Sequence, residues 1–503
     1  MSSPDISLRP FALAELLAGF AVIDQSDDQQ VTDITSDSRR VTPGSLFLAG
    51  QGLEHHGLEF LEQALARGAA AVAWEPVEGI EPPAAPVPMI RVENLARNAG
   101  LIANRFFGMP SEYLHVTGIT GTNGKTSVAS FIAQALAARQ QRCGVMGTLG
   151  AGFPGQLEDI GHTTPDAVEV HRHLALMKKQ GATHVAMEVS SHALDQARVA
   201  AVSFDTAILT NLSRDHLDYH GDMASYADAK RTLFAWPGLR AAVINADDVF
   251  GGELLQHMSG YVDTLAYSVN GPVAGFRNLV ARDLEADAEG IRFTVWLDDV
   301  SATVSSGLLG VFNVQNVLAA MGALIMDGMP LADAAQAMSV LRSVPGRMER
   351  LGGGSQPLVV VDYAHTPDAL KKVLSTLRGH VAGRLIVVFG CGGDRDWGKR
   401  PFMGEVVEQY ADMHIITNDN PRHEDPNEIV TQIRAGLKSP RRLPVILDRE
   451  EAIRAALQVA KPGDCVLVAG KGHENYQIIG DEKLPFSDRE VVARLLSEQG
   501  GAA

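Results

Sequence analysis

The chain has 503 residues, 46% hydrophobic and 6% aromatic, a composition that supports several buried cores and is typical of α/β proteins with parallel sheets. A formal net charge of −17 disfavours nucleic acid as a partner. Cys143, Cys391 and Cys465 lack paired spacing, which argues against disulfides or a cysteine zinc site and predicts a reducing, cytoplasmic setting. No stretch approaches the ~20 apolar residues of a membrane span. Residues 1–20 lack a signal-peptide pattern, so we expect no membrane partner.

Strand and helix patterns predict an α/β protein of three domains. Residues 1–107 form a small first domain, residues 108–341 a central domain with a parallel sheet, and residues 342–503 a doubly wound, Rossmann-like third domain. The expected helices include residues 58–66 and 126–137. The expected strands are residues 44–49, 69–74, 113–119, 184–189, 206–209, 241–245, 358–362, 384–389, 413–417, 444–447 and 465–469.

A glycine-rich loop follows the first predicted strand of the central domain. The segment Thr120-Gly121-Thr122-Asn123-Gly124-Lys125-Thr126 ends in the Gly-Lys-Thr of a phosphate-binding loop, although Ile119 stands where such loops usually have glycine. Glycines let backbone N–H groups point inward, Lys125 reaches the β- and γ-phosphates, and the Thr126 hydroxyl can ligate Mg²⁺. The loop predicts a P-loop ATPase domain. The alternative is a glycine turn with an incidental lysine.

This form of the loop resembles that of the Mur ligases and their folylpolyglutamate synthase relatives. Five further ordered matches extend the resemblance along nearly the whole chain: residues 188–194, 211–220, 312–316, 346–349 and 362–367. The resemblance implies a reaction in which ATP phosphorylates a carboxylate and an amine attacks the acyl phosphate. The tetrahedral species then collapses to an amide, ADP and phosphate. We therefore expect ATP as co-substrate and two Mg²⁺ ions that neutralise charge.

The resemblance also implies which residues carry the reaction. The expected catalytic residues are Lys125, Glu188, His216, Lys230 and Arg347, and the expected metal ligands are Thr126, Glu188, His216 and Lys230 as a carbamate. The nucleotide is expected to contact residues 120–126, Asn316, His365 and Arg347, with Arg347 delivered by closure of the third domain. The alternatives are a solvated or capping acid at Glu188, a satisfied histidine at His216 and a helix-surface lysine at Lys230.

Two regions resemble a site for a uridine-diphosphate sugar peptide. In the first domain these residues are Ser36, Ser38, Leu53, Glu54 and His55, and in the central domain they are His162, Thr163, Thr164, Ser190, Gln196 and Arg198. Gln196 and Arg198 supply the hydrogen-bond donors that a polyanionic substrate requires. For the first-domain residues the alternative is an ordinary turn and a polar loop.

The run Asp419-Asn420-Pro421-Arg422 resembles the amino-acid site of ligases that add the third peptide residue. A meso-2,6-diaminopimelate side chain ends in an amine and a carboxylate, whereas lysine ends in an amine alone. Arg422 can pair with that carboxylate through two parallel hydrogen bonds. Arg395, Gly470 and Glu474 complete the expected pocket, with Glu474 facing an ammonium. Taken alone, the run is also compatible with a proline turn after a strand.

The resemblance thus implies a cytoplasmic, monomeric ligase that adds meso-2,6-diaminopimelate to UDP-N-acetylmuramoyl-L-alanyl-D-glutamate in peptidoglycan precursor synthesis. Three alternatives stay open. A lysine-adding ligase would lack the arginine of the Asp419 to Arg422 run. A folylpolyglutamate synthase would lack the uridine-nucleotide domain, and a nucleotide-dependent switch would have no ligase activity.

Overall fold

A computed structural model of the chain describes residues 10–258, 260, 262–287, 289–438 and 444–500. They form two compact units, of which the first contains residues 10–280 and 318–330 and the second residues 281–317 and 331–500. Within the described residues, no helix has the length and apolar character needed to cross a membrane.

The first unit begins with a small parallel sheet of order β3-β4-β5-β6. Its elements are β1 (Phe11–Ala12), α1 (Leu13–Leu16), β2 (Gln30–Val31), β3 (Asp33–Thr35), β4 (Ser45–Ala49), α2 (Leu61–Ala66), β5 (Ala71–Trp74), β6 (Met89–Arg91) and α3 (Leu95–Phe106). Along β4, Leu46 and Leu48 pack into one buried cluster while Phe47 and Ala49 pack into another. Both faces of this sheet are therefore covered, as parallel sheets require.

The same unit continues with a larger, mainly parallel sheet of order β10-β9-β8-β11-β7-β12-β13-β14-β15. Its elements are β7 (His115–Thr120), α4 (Lys125–Ala138), β8 (Cys143–Gly147), β9 (Gly150–Phe153), β10 (Gln156–Glu158), α5 (Ala167–Lys179), β11 (His184–Glu188), α6 (Ser191–Asp195), β12 (Thr206–Leu209), α7 (Leu217–His220), α8 (Met223–Arg231), β13 (Ala241–Asn245), α9 (Val249–His257), β14 (Asp263–Ser268) and β15 (Arg277–Asp287), which runs on into the second unit. Strand β7 lies between β11 and β12, with Ile119 opposite Glu188 and Thr120 opposite Leu209. The loops after these three parallel strands consequently meet at one sheet edge, where α/β proteins bind ligands.

The second unit contains a sheet of order β18-β19-β22-β20-β21, parallel except for β18. Its elements are β16 (Gly290–Leu297), β17 (Val300–Ser306), the start of α10 (Phe312–Met326), α11 (Leu331–Met338), β18 (Glu349–Gly352), β19 (Leu358–Asp362), α12 (Pro367–His380), β20 (Leu385–Phe389), α13 (Lys399–Tyr410), β21 (Met413–Ile416), α14 (Pro426–Arg434), α15 (Arg449–Val459), β22 (Cys465–Ala469), β23 (Tyr476–Ile479), β24 (Glu482–Pro485) and α16 (Asp488–Gly500). One buried cluster joins the sheet to α12, α13 and α14, and another joins it to α15 and α16. Helices therefore cover both faces, and the predicted doubly wound fold is confirmed.

Most predicted strands lie within two residues of the observed ones, but the strand expected at residues 444–447 is wrong. A single parallel bridge joins Val445 to Ile416, and no named strand forms there. Pro444 has no N–H to donate, which limits the ladder at this edge. The expected helix at residues 58–66 also begins differently, as a 3₁₀ turn over Gly57–Phe60. The predicted domain limits at residues 107 and 341 stay predictions.

Candidate functional site

The predicted phosphate loop joins β7 directly to α4. Gly121 and Gly124 have φ angles of +145° and +89°, which only glycine adopts readily. The Lys125 ammonium donates to the carbonyls of Gly121 (2.8 Å) and Thr122 (3.0 Å). Ile119, which stands where phosphate loops usually have glycine, is a fully buried residue of β7 and is not part of the loop itself. The first turn of α4 thus lies at the loop, where a helix N-terminus favours anions.

Asn211, in the segment after β12, fixes the backbone of this loop. Its carbonyl accepts from Thr122 N (2.8 Å), its side-chain oxygen accepts from Asn123 N (3.0 Å), and its side-chain amide donates to the Asn123 carbonyl (3.0 Å). Thr210 adds a hydroxyl bond to the same carbonyl (2.6 Å). No role was expected for Asn211 from the sequence, although it begins one of the matched runs.

Glu188, the last residue of β11, faces the start of α4. Its carboxylate accepts from the Thr126 hydroxyl (3.0 Å) and from Thr148 N (2.9 Å), and it is only 1% exposed. Burial raises the pKa of this carboxyl, and the nearby Lys125 charge opposes that rise. The alternative of a solvated acid is therefore wrong. The adjoining carboxylate and hydroxyl oxygens are the hard ligands that Mg²⁺ prefers. Across the described residues no group of three or more His, Cys, Asp or Glu residues is arranged to hold a metal.

Lys230 and His216 lie beside the same loop but differ in burial. Lys230 on α8 is 1% exposed and donates to the Gly121 carbonyl (3.1 Å), so the helix-surface alternative is wrong. Burial, reinforced by the Lys125 charge, lowers the pKa of its ammonium well below the usual value. The His216 side chain is 46% exposed, with its ring centre 6.1 Å from that of Tyr226. Tyr226 in turn contacts the Thr122 hydroxyl (3.2 Å).

Most of the predicted sugar-peptide residues of the central domain come together beside β11. Thr164 donates to the Glu188 carbonyl (2.8 Å) and accepts from Ser190 N (3.1 Å). The Arg198 guanidinium contacts the Gln196 side-chain oxygen (2.6 Å) and the Thr164 carbonyl (3.1 Å). The Thr163 hydroxyl lies 3.0 Å from the Thr148 hydroxyl, whereas His162 is exposed. A cation and several polar groups therefore adjoin the strand that ends in Glu188.

The predicted residues of the first domain follow two neighbouring strands. Ser36 comes after β3 and residues 53–55 come after β4, and the two strands are parallel partners, so the loops share one sheet edge. Leu53 and Glu54 are exposed, and His55 contacts Glu59 (2.9 Å). Ser38 is buried and its hydroxyl donates to the Gln63 side chain (2.6 Å).

The second unit contains the remaining predicted nucleotide residues. The Arg347 guanidinium lies 5.0 Å from the centre of the Tyr363 ring, and His365 contacts the Tyr363 carbonyl (2.8 Å). Asn316 on α10 is buried, and its amide donates to Asn313 (2.9 Å). The structure thus groups Arg347 with His365 around one aromatic ring.

The predicted amino-acid residues follow the carboxyl ends of β20, β21 and β22. Arg422 donates to the Gly393 carbonyl (2.7 Å), Gly393 N donates to the Asn420 carbonyl (2.9 Å), and the Asn420 amide donates to Glu474 (3.0 Å). Gly470 packs against Asp419, since a Cβ there would lie 2.4 Å from a carboxylate oxygen. Pro421 is buried, while Arg395 is exposed and contacts the Asp394 carbonyl (3.2 Å). The three loops form one connected cluster.

Two features of this cluster escaped sequence analysis. Lys471 is fully buried and donates to both Asn420 and Glu474 (3.0 Å each), so it holds these two side chains together. Arg422 has a φ angle of +50°, which is unfavourable for a non-glycine residue. Its backbone is held by Ile478, whose carbonyl accepts from Arg422 N (3.1 Å), and by Gly480 N, which donates to its carbonyl (2.8 Å).

Three family models match this chain. Their descriptions are "Mur ligase family, catalytic domain" at residues 30–107, "Mur ligase middle domain" at residues 119–324 and "Mur ligase, glutamate ligase domain" at residues 346–472. A protein of Alkalilimnicola ehrlichii named UDP-N-acetylmuramoyl-L-alanyl-D-glutamate--2,6-diaminopimelate ligase is 49% identical over 97% of this chain and 99% of its own length. The chain belongs to the Mur ligase family.

Other members of this Mur ligase family agree with that assignment. A protein of the same name from Pseudomonas aeruginosa is 49% identical over 93% of this chain and 96% of its own length. A solved structure of a ligase with that name is 37% identical and has a TM-score of 0.74, covering 98% of this chain and 100% of the other. The structure of MurF ligase from Thermotoga maritima in complex with ADP, at 17% identity and a TM-score of 0.61, shares the fold. The predicted three-domain α/β fold class is confirmed.

Proposed function

We propose that this Mur ligase joins meso-2,6-diaminopimelate to UDP-N-acetylmuramoyl-L-alanyl-D-glutamate, with conversion of ATP to ADP and phosphate, as a cytoplasmic monomer. The observation that carries the choice of amino acid is the loop cluster around Arg422, in which hydrogen bonds join Arg422 to Gly393, Gly393 to Asn420, and Asn420 to Glu474. A cation and an anion in one cluster match the carboxylate and ammonium at the far end of diaminopimelate. The names of relatives that are about half identical support the same substrate.

For the nucleotide, we propose contacts from residues 120–126, Asn316, Arg347 and His365. The loop offers backbone N–H groups and the Lys125 ammonium, which suit the β- and γ-phosphates. Thr126, Glu188, His216 and Lys230 as a carbamate would hold Mg²⁺, which when bound neutralises charge between the γ-phosphate and the acceptor carboxylate. Burial of Glu188 keeps water from its carboxylate, and Thr126 and Thr148 orient it.

For the UDP-sugar dipeptide, we propose contacts from the first-domain loops and from the group beside β11. The residues are Ser36, Ser38, Leu53, Glu54, His55, His162, Thr163, Thr164, Ser190, Gln196 and Arg198. Arg198 carries the main argument, because the chain has a net charge of −17 and a polyanion needs a local cation. The Gln196 and Thr164 contacts hold its guanidinium in place.

The test supplies purified protein with ATP, Mg²⁺ and the UDP-sugar dipeptide, adds single amino acids, and follows phosphate release and product mass. We expect phosphate release only when both acceptor and meso-diaminopimelate are present, with a product heavier by one diaminopimelate residue. Equal use of L-lysine would refute the choice of amino acid. Phosphate release that ignores the UDP-sugar dipeptide would refute the acceptor, and nucleotide binding without any product would favour a switch.

A further inference from the structure

An ion pair between a buried arginine and a partly exposed glutamate lies at two of the amino-acid loops. Arg400 on α13 is fully buried, and its two terminal nitrogens contact both oxygens of Glu424 (2.7 and 2.9 Å). One nitrogen also donates to the Gln432 side chain (2.7 Å), and the other donates to the Gly392 carbonyl (2.9 Å). A planar guanidinium can satisfy four acceptors in this way, whereas a lysine ammonium has only three N–H donors on one atom.

The pair connects loops that come from different strands. Gly392 lies in the loop after β20, and Glu424 lies two residues beyond Arg422 in the loop after β21. Glu424 also accepts from Asp394 N, in the first of these loops. Arg422, in the loop after β21, also donates to the Gly393 carbonyl in the loop after β20 (2.7 Å). The position of the Arg422 guanidinium therefore depends on how these two loops are held together.

Both loops contain a strained backbone, which makes this support necessary. Asp394 and Arg422 have φ angles of +51° and +50°. Such conformations are unfavourable for non-glycine residues and persist only where surrounding contacts enforce them. Arg400 is fully buried whereas the Glu424 side chain is 27% exposed, so loss of Glu424 would leave the buried guanidinium without its carboxylate partner, which is costly. The hydrogen bonds from Arg400 also lower the pKa of the Glu424 carboxyl, as expected for a carboxylate paired with a guanidinium.

We propose that Arg400 and Glu424 are positioning residues that set the place of the Arg422 guanidinium, and thereby the affinity and selectivity for the carboxylate at the far end of the diamino acid. The inference rests on the proposed function of Arg422. The pair acts through the loops, so its loss raises the KM for meso-diaminopimelate and leaves the KM for ATP and for the UDP-sugar dipeptide unchanged. A general loss of structure would affect all three substrates.

The test uses two conservative variants of the full-length protein. Glu424→Gln keeps the side-chain shape and removes the negative charge. Arg400→Lys keeps the positive charge and removes the bidentate hydrogen bonding to Glu424. We expect each to raise the KM for meso-diaminopimelate by roughly 10- to 100-fold, the usual effect of losing a partner that orients a binding group. We also expect a smaller preference for meso-diaminopimelate over L-lysine. Glu424→Asp, which can still pair with Arg400, should recover part of the affinity.

A second ion pair of the same unit supplies the matched control. Asp464 contacts Arg384 (2.6 Å) just before β22 and β20 begin, so this pair lies at the opposite sheet edge from the amino-acid loops. Asp464→Asn removes one carboxylate from an arginine pair, as Glu424→Gln does. We expect it to lower the thermal unfolding midpoint without changing the KM for meso-diaminopimelate.

Arg422→Ala, measured beside these variants, distinguishes the proposed specificity role of Arg422 from its positioning by Arg400 and Glu424. If Arg422→Ala raises the KM for meso-diaminopimelate and neither Glu424→Gln nor Arg400→Lys does, the positioning role is wrong and the proposed function stands. If Arg422→Ala leaves that KM unchanged, both the specificity role of Arg422 and its positioning by the pair are refuted. Equal rises in all three KM values for Glu424→Gln would also overturn the inference, because they would indicate a general structural defect.

Discussion

A methyl group added at Gly393 tests the contact between the loops after β20 and β21. Its Cβ would lie 1.9 Å from the Pro421 carbonyl oxygen, and real Cβ contacts are essentially never under 3.0 Å, so the loops must separate by about 1 Å. Two hydrogen bonds then lengthen, from Gly393 N to Asn420 (2.9 Å) and from Arg422 to the Gly393 carbonyl (2.7 Å). Each of these hydrogen bonds stabilises the loop contact by about 1 kcal/mol. A displacement of about 1 Å in a binding group can reduce activity by ~100-fold.

Steady-state kinetics of Gly393→Ala measure this effect. We expect the KM for meso-diaminopimelate to rise by about 100-fold while the KM for ATP stays within about twofold. Gly379→Ala is the control, because Gly379 lies on α12 of the same unit and a Cβ there meets nothing within 4 Å. That variant should behave as wild type. An unchanged KM for meso-diaminopimelate in Gly393→Ala would refute the claim that this contact places Arg422.

Three further predictions concern other parts of the chain. Gly147→Ala puts a methyl group 2.1 Å from a Glu188 oxygen, so we expect at least ~100-fold slower phosphate release, and normal release would contradict the role of Glu188. Lys230→Ala removes the amine proposed to carry a carbamate, and near-normal turnover would remove that role. Burial would raise the pKa of Asp464, but hydrogen bonds from Arg384 and from the backbone lower it to about 2. Because the folded pKa is depressed, the stabilisation is present above the unfolded value of ~3.9 and is lost as the pH falls toward 2. Asp464→Asn should thus cost about 1–3 kcal/mol of unfolding free energy at pH 7 and much less near pH 2, and urea titrations that show equal losses at both would refute this.

The sequence was sufficient for the architecture and for the phosphate loop. Both depend on local sequence signals. The positive φ angles at positions 121 and 124 require glycine, and apolar runs indicate the buried strands. The position of Glu188 near the end of a strand was also predictable, because the predicted strand at residues 184–189 ends one residue later than the observed one. Its burial was not, since that depends on β8 and α4 packing around it.

The supporting residues could not be predicted, because their partners are distant in sequence. Lys471 and Asn420 are 51 residues apart, and Arg400 and Glu424 are 24 apart. A single charged residue in a helix or loop is usually solvated, so neither Lys471 nor Arg400 gave a signal that distinguished it from a surface charge. The strand expected at residues 444–447 failed for a related reason, since whether an apolar run pairs depends on its neighbour in the sheet.

Recognition of the far carboxylate of the diamino acid by the Arg422 guanidinium is tested by the ratio of kcat/KM for meso-diaminopimelate to kcat/KM for L-lysine. We expect this ratio to fall by several orders of magnitude from the wild-type protein to Arg422→Ala, with ATP affinity retained. A ratio that is the same in both proteins would contradict it.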